Sequence, residues 1–236
     1  MLKITDANNF RRTAAGLCLI AGPLVALIGG LVAPWEGTEE TTAWLRVLAE
    51  NPVRGQIGAV LFYLGYMLIA VGIFGMIHLL RSRAVVLGHI AGALAIWGWV
   101  TMPGLLVSDF YELSLAESLV PEQGATIVDR VEEYAGSAVM GVPVFLGMVG
   151  LLLLAIALWR AEFVPAWVPL VLLVGFVTGF YDAYSLAFFT IWWALWLATL
   201  GYIGLKILCM SGEDWECGAA PMRGGTVGAT ARPRVQ

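Results

Sequence analysis

Residues 57–80 read IGAVLFYLGYMLIAVGIFGMIHLL, twenty-four positions without a Lys, Arg, Asp or Glu. A helix needs about 20 apolar residues to cross about 30 Å of hydrocarbon, so this stretch is long enough to span a bilayer. Arg81-Ser82-Arg83 follows, and then a second apolar run from Ala84 to Val107. Two such runs around a three-residue basic turn read as a helical hairpin threaded through a membrane, and that reading decides the fold class.

Outward from the hairpin, four further runs extend the pattern: Thr13 to Pro34, Ser137 to Trp159, the short Val164 to Phe180, and Ala183 to Leu208. The expected architecture is an all-α, polytopic transmembrane bundle of about six spans (about 13–34, 57–80, 84–107, 137–159, 164–180 and 183–208). The first run exceeds the 7–15 apolar residues of a signal peptide and lacks a small-residue cleavage site, so it is expected to be a true span. Composition agrees. Sixty per cent of the 236 residues are apolar and 13% are charged, where a soluble domain carries about 25% charged residues. That leaves too little polar surface to clothe a water-exposed globule, and the lipid bilayer is the expected partner.

The distribution of Lys and Arg orients the bundle. With the N-terminus inside, ten of the thirteen basic residues fall in cytoplasmic segments and only Arg46, Arg54 and Arg130 outside. The expected location is therefore the cell membrane, multi-pass, with both termini cytoplasmic. Residues 211–236 are rich in Gly, Ala, Pro and Arg without periodicity and read as a disordered cytoplasmic tail.

Two outer loops carry helical signals. Thr41 or Thr42 can cap a short helix ending near Asn51-Pro52, with Trp44, Leu45 and Leu48 on one side. Pro121 suits the first turn of another, with Ile127, Val128, Val131 and Tyr134 along one side and Gly136 ending it. Both are read as short interfacial helices, lying in the membrane surface or forming a cap over it.

Ionisable groups within or beside a bilayer are costly, which makes each a candidate site. Asp109 and Asp182 share the outer depth, each flanked by aromatic rings, and Glu112 follows Asp109 at the i+3 position of a common helix face. Gathered in one apolar pocket, Asp109, Glu112 and Asp182 could donate a proton near neutrality. Their structural roles are equally simple, with Asp182 capping the last span and the tyrosines forming an interfacial belt. A ligand-binding wall could be built from Trp97, Trp99, Tyr111, Tyr181, Tyr184, Phe189 and Trp193, since π faces hold flat, isoprenoid or cationic groups. The bulk of Phe188, Phe189, Trp192, Trp193 and Trp196 on the last span also suits a lipid-facing surface, and that is the expected disposition.

His78 and His89 sit at matching depths around the basic turn, but further ligands are missing nearby, so neither a metal nor a haem is expected. Gly88 and Gly92, like Gly147 and Gly150, give small-residue spacings for close helix contact within the bundle or in a homo-oligomer. Cys18, Cys209 and Cys217 have no metal spacing, no basic patch suggests nucleic acid, and no cofactor motif is present.

Arg11-Arg12-Thr13-Ala14-Ala15-Gly16, Asn51-Pro52-Val53-Arg54, Asp109-Phe110-Tyr111-Glu112-Leu113 and Val164-Pro165-Ala166-Trp167 resemble stretches of an uncharacterised family of small bacterial membrane proteins from high-GC genomes. The resemblance covers most of the membrane region, excludes the tail, and implies about six helices without an established activity. The expected role is a non-catalytic lipid-binding, accessory or small-transporter bundle that takes a hydrophobic small molecule or lipid. The alternative is a membrane-embedded enzyme acting on an isoprenoid or lipid, such as an acid-initiated terpene cyclase, by analogy of class alone.

Overall fold

The computed structural model describes residues 6–35, 37, 40–181 and 185–218, and every regular element among them is a helix. In chain order these are α1 (Ala7–Val32), α2 (Thr41–Glu50), α3 (Pro52–Leu80), α4 (Val85–Leu105), α5 (Val107–Ser118), α6 (Pro121–Glu132), α7 (Ala135–Arg160), α8 (Trp167–Tyr181), α9 (Leu186–Cys209) and α10 (Gly212–Cys217). Five helical stretches are long and apolar enough to cross a membrane: α1, α3, α4 with α5, α7 and α9. The chain is therefore an all-helical membrane protein. The remaining run, α8, is apolar but only 15 residues long, about 22 Å at 1.5 Å per residue, short of a full hydrocarbon span.

Helix starts follow local chemistry. Asp6 caps α1, its carboxylate accepting from the Asn8 backbone N–H at 3.0 Å, so the helix begins six residues before its apolar run. Pro52 and Pro121 occupy the first turns of α3 and α6, where a missing N–H costs nothing. Thr41 is the first residue of α2 and not its cap, and its hydroxyl donates to Asp129 of α6 at 2.8 Å. Gly136 lies inside the first turn of α7 and does not end the preceding helix. Ser185 holds the cap position of α9, while the expected capping residue Asp182 lies outside the described residues.

The six long or apolar helices form a closed ring in the order α1, α3, α4, α7, α8, α9, with α9 packed back against α1. Small residues set the spacing. Gly98 of α4 and Gly147 of α7 meet backbone to backbone, and Gly150 lies against Ala95. Gly88 and Gly92 receive Leu80 and Ile77 across the α3–α4 hairpin, so these pairs are used inside the bundle.

Aromatic rings fill the middle. Trp193 and Trp196 are 1% exposed, Trp99 3% and Phe189 8%. The lipid-facing disposition expected for the last-span aromatics is thus corrected for Phe189, Trp193 and Trp196, which point inward. Glycine notches admit the rings: Gly30 faces Phe189, Gly175 faces Trp196 and Gly179 faces Trp192. A Cβ at Gly30 would sit 1.9 Å from the Phe189 ring. In lipid, where apolar burial alone does not drive association, such close fit is what selects one packing.

One end of the ring carries α2, α5 and α6, which pack as a cap with a small core of Leu45, Leu48, Leu113 and Ala125. Ile127 and Val131 of α6 stay exposed, as does Tyr134, which lies beyond its end at the start of α7; the side of α6 that packs is Gly124 and Ala125. The opposite, tail end carries both ends of the described chain. There the expected unstructured tail begins instead with α10, because Trp215, 2% exposed, is buried against α1 and α3.

Candidate functional site

The cap end contains a recess of about 50 Å³ between the end of α1 and helices α2, α3 and α5. Its position follows from the end of α4. Pro103 lacks a backbone donor and weakens the helix end, and the chain breaks at Leu106 and restarts as α5. That break turns Asp109, Leu113 and Glu112 toward α2 and α3. The walls are apolar, supplied by Ala33, Pro34, Trp44, Leu48, Ala59, Phe62 and Leu113, with Gln56 at the rim.

The two carboxylates on α5 differ. Glu112 accepts a hydrogen bond from the Trp44 indole N–H at 2.8 Å and so fixes α2 to α5. Asp109 opens onto the recess, half-buried, and no other described side chain donates to it. A carboxylate accepts up to about four hydrogen bonds, so this one is free to receive a hydroxyl or ammonium group from a guest. Neighbouring contacts hold the frame. Arg54 donates to the Val32 carbonyl at 2.9 Å and the Ala33 carbonyl at 3.4 Å, satisfying the end of α1. Trp35 donates to the Gly30 carbonyl at 2.6 Å and packs on Phe189 with centroids 4.8 Å apart.

Below the recess the lining turns aromatic. Phe62 lies in its wall and Tyr66, one turn further along α3, borders a second, deeper space of about 10 Å³. Phe62 contacts Phe189 at 5.5 Å, and Tyr66 contacts Trp99 at 5.5 Å and Trp193 at 5.8 Å. The indole N–H groups of Trp99, Trp192, Trp193 and Trp196 are buried without an acceptor. The Trp192–Trp196 pair meets edge to face, 5.7 Å between centroids, so ring faces are the electron-rich surroundings of these donors.

The expected residues separate into three groups. Asp109 and Glu112 come together at the recess. Trp99, Phe189 and Trp193 come together in the core beneath it. Trp97 is 54% exposed, Tyr111 70% and Tyr181 76%, and none of the three lines either space. Asp182 and Tyr184 lie outside the described residues. Trp44, Phe62 and Tyr66 were not anticipated; the i, i+4 spacing of Phe62 and Tyr66 within an apolar run was the available signal. His78 and His89 are engaged elsewhere, His78 with the Trp215 carbonyl at 3.0 Å and His89 with the Val85 carbonyl at 2.6 Å. Among the described residues, no group of three potential metal ligands occurs.

Comparison with known proteins finds no family model, curated protein or solved structure that matches this chain.

Proposed function

We propose that this membrane protein holds an amphipathic guest, a lipid or small hydrophobic molecule, at the cap-end recess without transforming it. The cap would face outward and both termini the cytoplasm, as the Lys and Arg distribution favours. One observation carries the reading: Asp109, which receives no hydrogen bond from another described side chain, opens onto a recess whose other walls are almost entirely apolar. A guest with a hydroxyl or ammonium head would satisfy that carboxylate, its head among Trp44, Leu48 and Phe62 and its apolar part outside the recess.

The enzymatic alternative has one supporting feature, the run of aromatic rings from Phe62 to Trp193 beneath the acid. Its weakness is room. The deeper space is about 10 Å³, and an enzyme must enclose its substrate in a pocket of roughly 300–1,000 Å³. The recess of about 50 Å³ is likewise too small to enclose a guest and would receive only its head group, the apolar part lying outside it.

Native mass spectrometry of gently solubilised protein tests the proposal. Wild type is expected to carry a reproducible non-protein mass, and Asp109→Leu to lose it while keeping its thermal unfolding midpoint. Equal retention by both proteins would remove Asp109 from the binding role. Conversion of an added isoprenoid by wild type and not by Asp109→Asn would establish the enzymatic reading instead.

A further inference from the structure

A third cavity lies at the opposite, tail end, in the groove between α1 and α3, and is larger at about 330 Å³. Arg11 and His78 are the ionisable groups of its lining, and most of the remainder is apolar. Arg11 is exposed, and the ion pair formed among the described residues joins Arg83 to Glu162, elsewhere on the surface. Facing Arg11 across the groove is His78, whose ring stacks on Trp215 at 4.3 Å and receives the Arg81 guanidinium. Two of the three carboxylates of α10 have other partners, Glu216 accepting from Asn8 at 2.7 Å and Asp214 from Ser211 at 2.7 Å. The third, Glu213, is exposed and does not line the groove. Toward the middle of the bundle the groove continues over Val71 and Phe74, 43% and 58% exposed, on the surface that meets acyl chains.

The geometry points to an anionic phospholipid seated in this groove, its phosphate on Arg11 and one acyl chain along Val71 and Phe74. An arginine fork matches phosphate oxygens, and the quaternary ammonium that follows the phosphate in a zwitterionic headgroup would meet the like charges of Arg11 and Arg81, so a net anionic headgroup is favoured. Ala15 and Gly75 keep the floor shallow in side-chain bulk, and Trp215 closes the end. This site is separate from the recess at Asp109 and does not depend on the function proposed for it.

The test uses the full chain, delipidated in detergent and offered equimolar phosphatidylglycerol and phosphatidylcholine, with retained lipid read by native mass spectrometry. Wild type is expected to retain phosphatidylglycerol preferentially. Arg11→Gln is expected to lower that preference about five-fold, the worth of one basic residue near an anionic headgroup. Arg160→Gln, an exposed arginine outside the groove, should leave it unchanged. Val71→Trp should reduce retention of the bound lipid by occupying the acyl slot while the charges stay in place. Absence of a preference in wild type, as when another segment of the chain fills the groove, would overturn the inference. So would equal losses in the two arginine variants, which would mark a diffuse surface charge, or full retention in Val71→Trp.

Discussion

Gly98→Ala probes the closest approach of a glycine to a neighbouring backbone among the described residues, and the magnitude can be worked from the geometry. A Cβ placed on Gly98 would lie 2.3 Å from the Pro143 carbonyl oxygen and 2.4 Å from the Gly147 Cα. Both are backbone atoms, which cannot rotate aside as a side chain would. Comfortable carbon–carbon separation is about 3.5 Å, so α4 and α7 would have to part by about 1 Å. Overpacking of this kind costs about 1–3 kcal/mol. Alanine recovers about 0.5–1 kcal/mol through helix propensity, leaving a net loss of up to about 2.5 kcal/mol, about 1.3 kcal/mol at mid-range. For a chain of this size the mid-range loss corresponds to an unfolding midpoint lower by about 3–5 °C. Gly104→Ala supplies the matched comparison, six residues along the same helix with nothing within 4 Å of the new methyl; only the propensity gain applies, and its midpoint should equal or slightly exceed that of wild type. Thermal unfolding of the three proteins in one detergent, followed by intrinsic tryptophan fluorescence, reads the difference. If Gly98→Ala melts with Gly104→Ala, the α4–α7 contact is not as close as described and the reasoning fails.

Further outcomes follow from the same packing. Trp196→Ala should destabilise by about 3–5 kcal/mol, as large core truncations do, whereas Trp97→Ala on the exposed side of α4 should change the unfolding midpoint little; similar midpoints would contradict the buried position of Trp196. Arg54→Ala should release the Val32 and Ala33 carbonyls, seen as faster hydrogen exchange at the end of α1, and unchanged protection there would show that Arg54 does not hold it. A membrane-impermeant thiol reagent should label Cys209 and Cys217, both exposed, only after the membrane is permeabilised; labelling of intact cells would reverse the proposed orientation. Trp215→Ala should loosen α10 and increase proteolysis after Met210, and resistance equal to wild type would show that the indole does not anchor it.

The long spans were legible because hydrophobic length is a local property. Residues 57–80 declare a spanning helix by themselves, and Pro52 and Pro121 mark helix starts without reference to anything distant. The inward turn of Trp193 and Trp196 was not legible in the same way. An aromatic residue is as comfortable against acyl chains as against other rings, so apolar periodicity does not separate the two faces of a membrane helix. The decisive information was the glycine on the neighbouring helix, Gly175 opposite Trp196, and pairing those positions requires knowing that α8 and α9 are adjacent. Asp109 stood out as an ionisable group at the membrane edge, but its distinction from Glu112 depended on Trp44, about seventy residues earlier, occupying only the latter. The short α10 escaped notice because a single tryptophan, not a periodic pattern, ties it down.

The order of helices in the ring has a bearing on biosynthesis. Among the described helices α1 precedes the others in the chain and lies between α3 and α9, so one of its flanks stays open until α9 is made. The rings that fill the interior, Phe189, Trp193 and Trp196, arrive on that same helix. Gly16 and Gly30 are the seats of α9 side chains, so closure of the described ring waits for α9, and a chain cut before Leu186 would leave both seats uncovered.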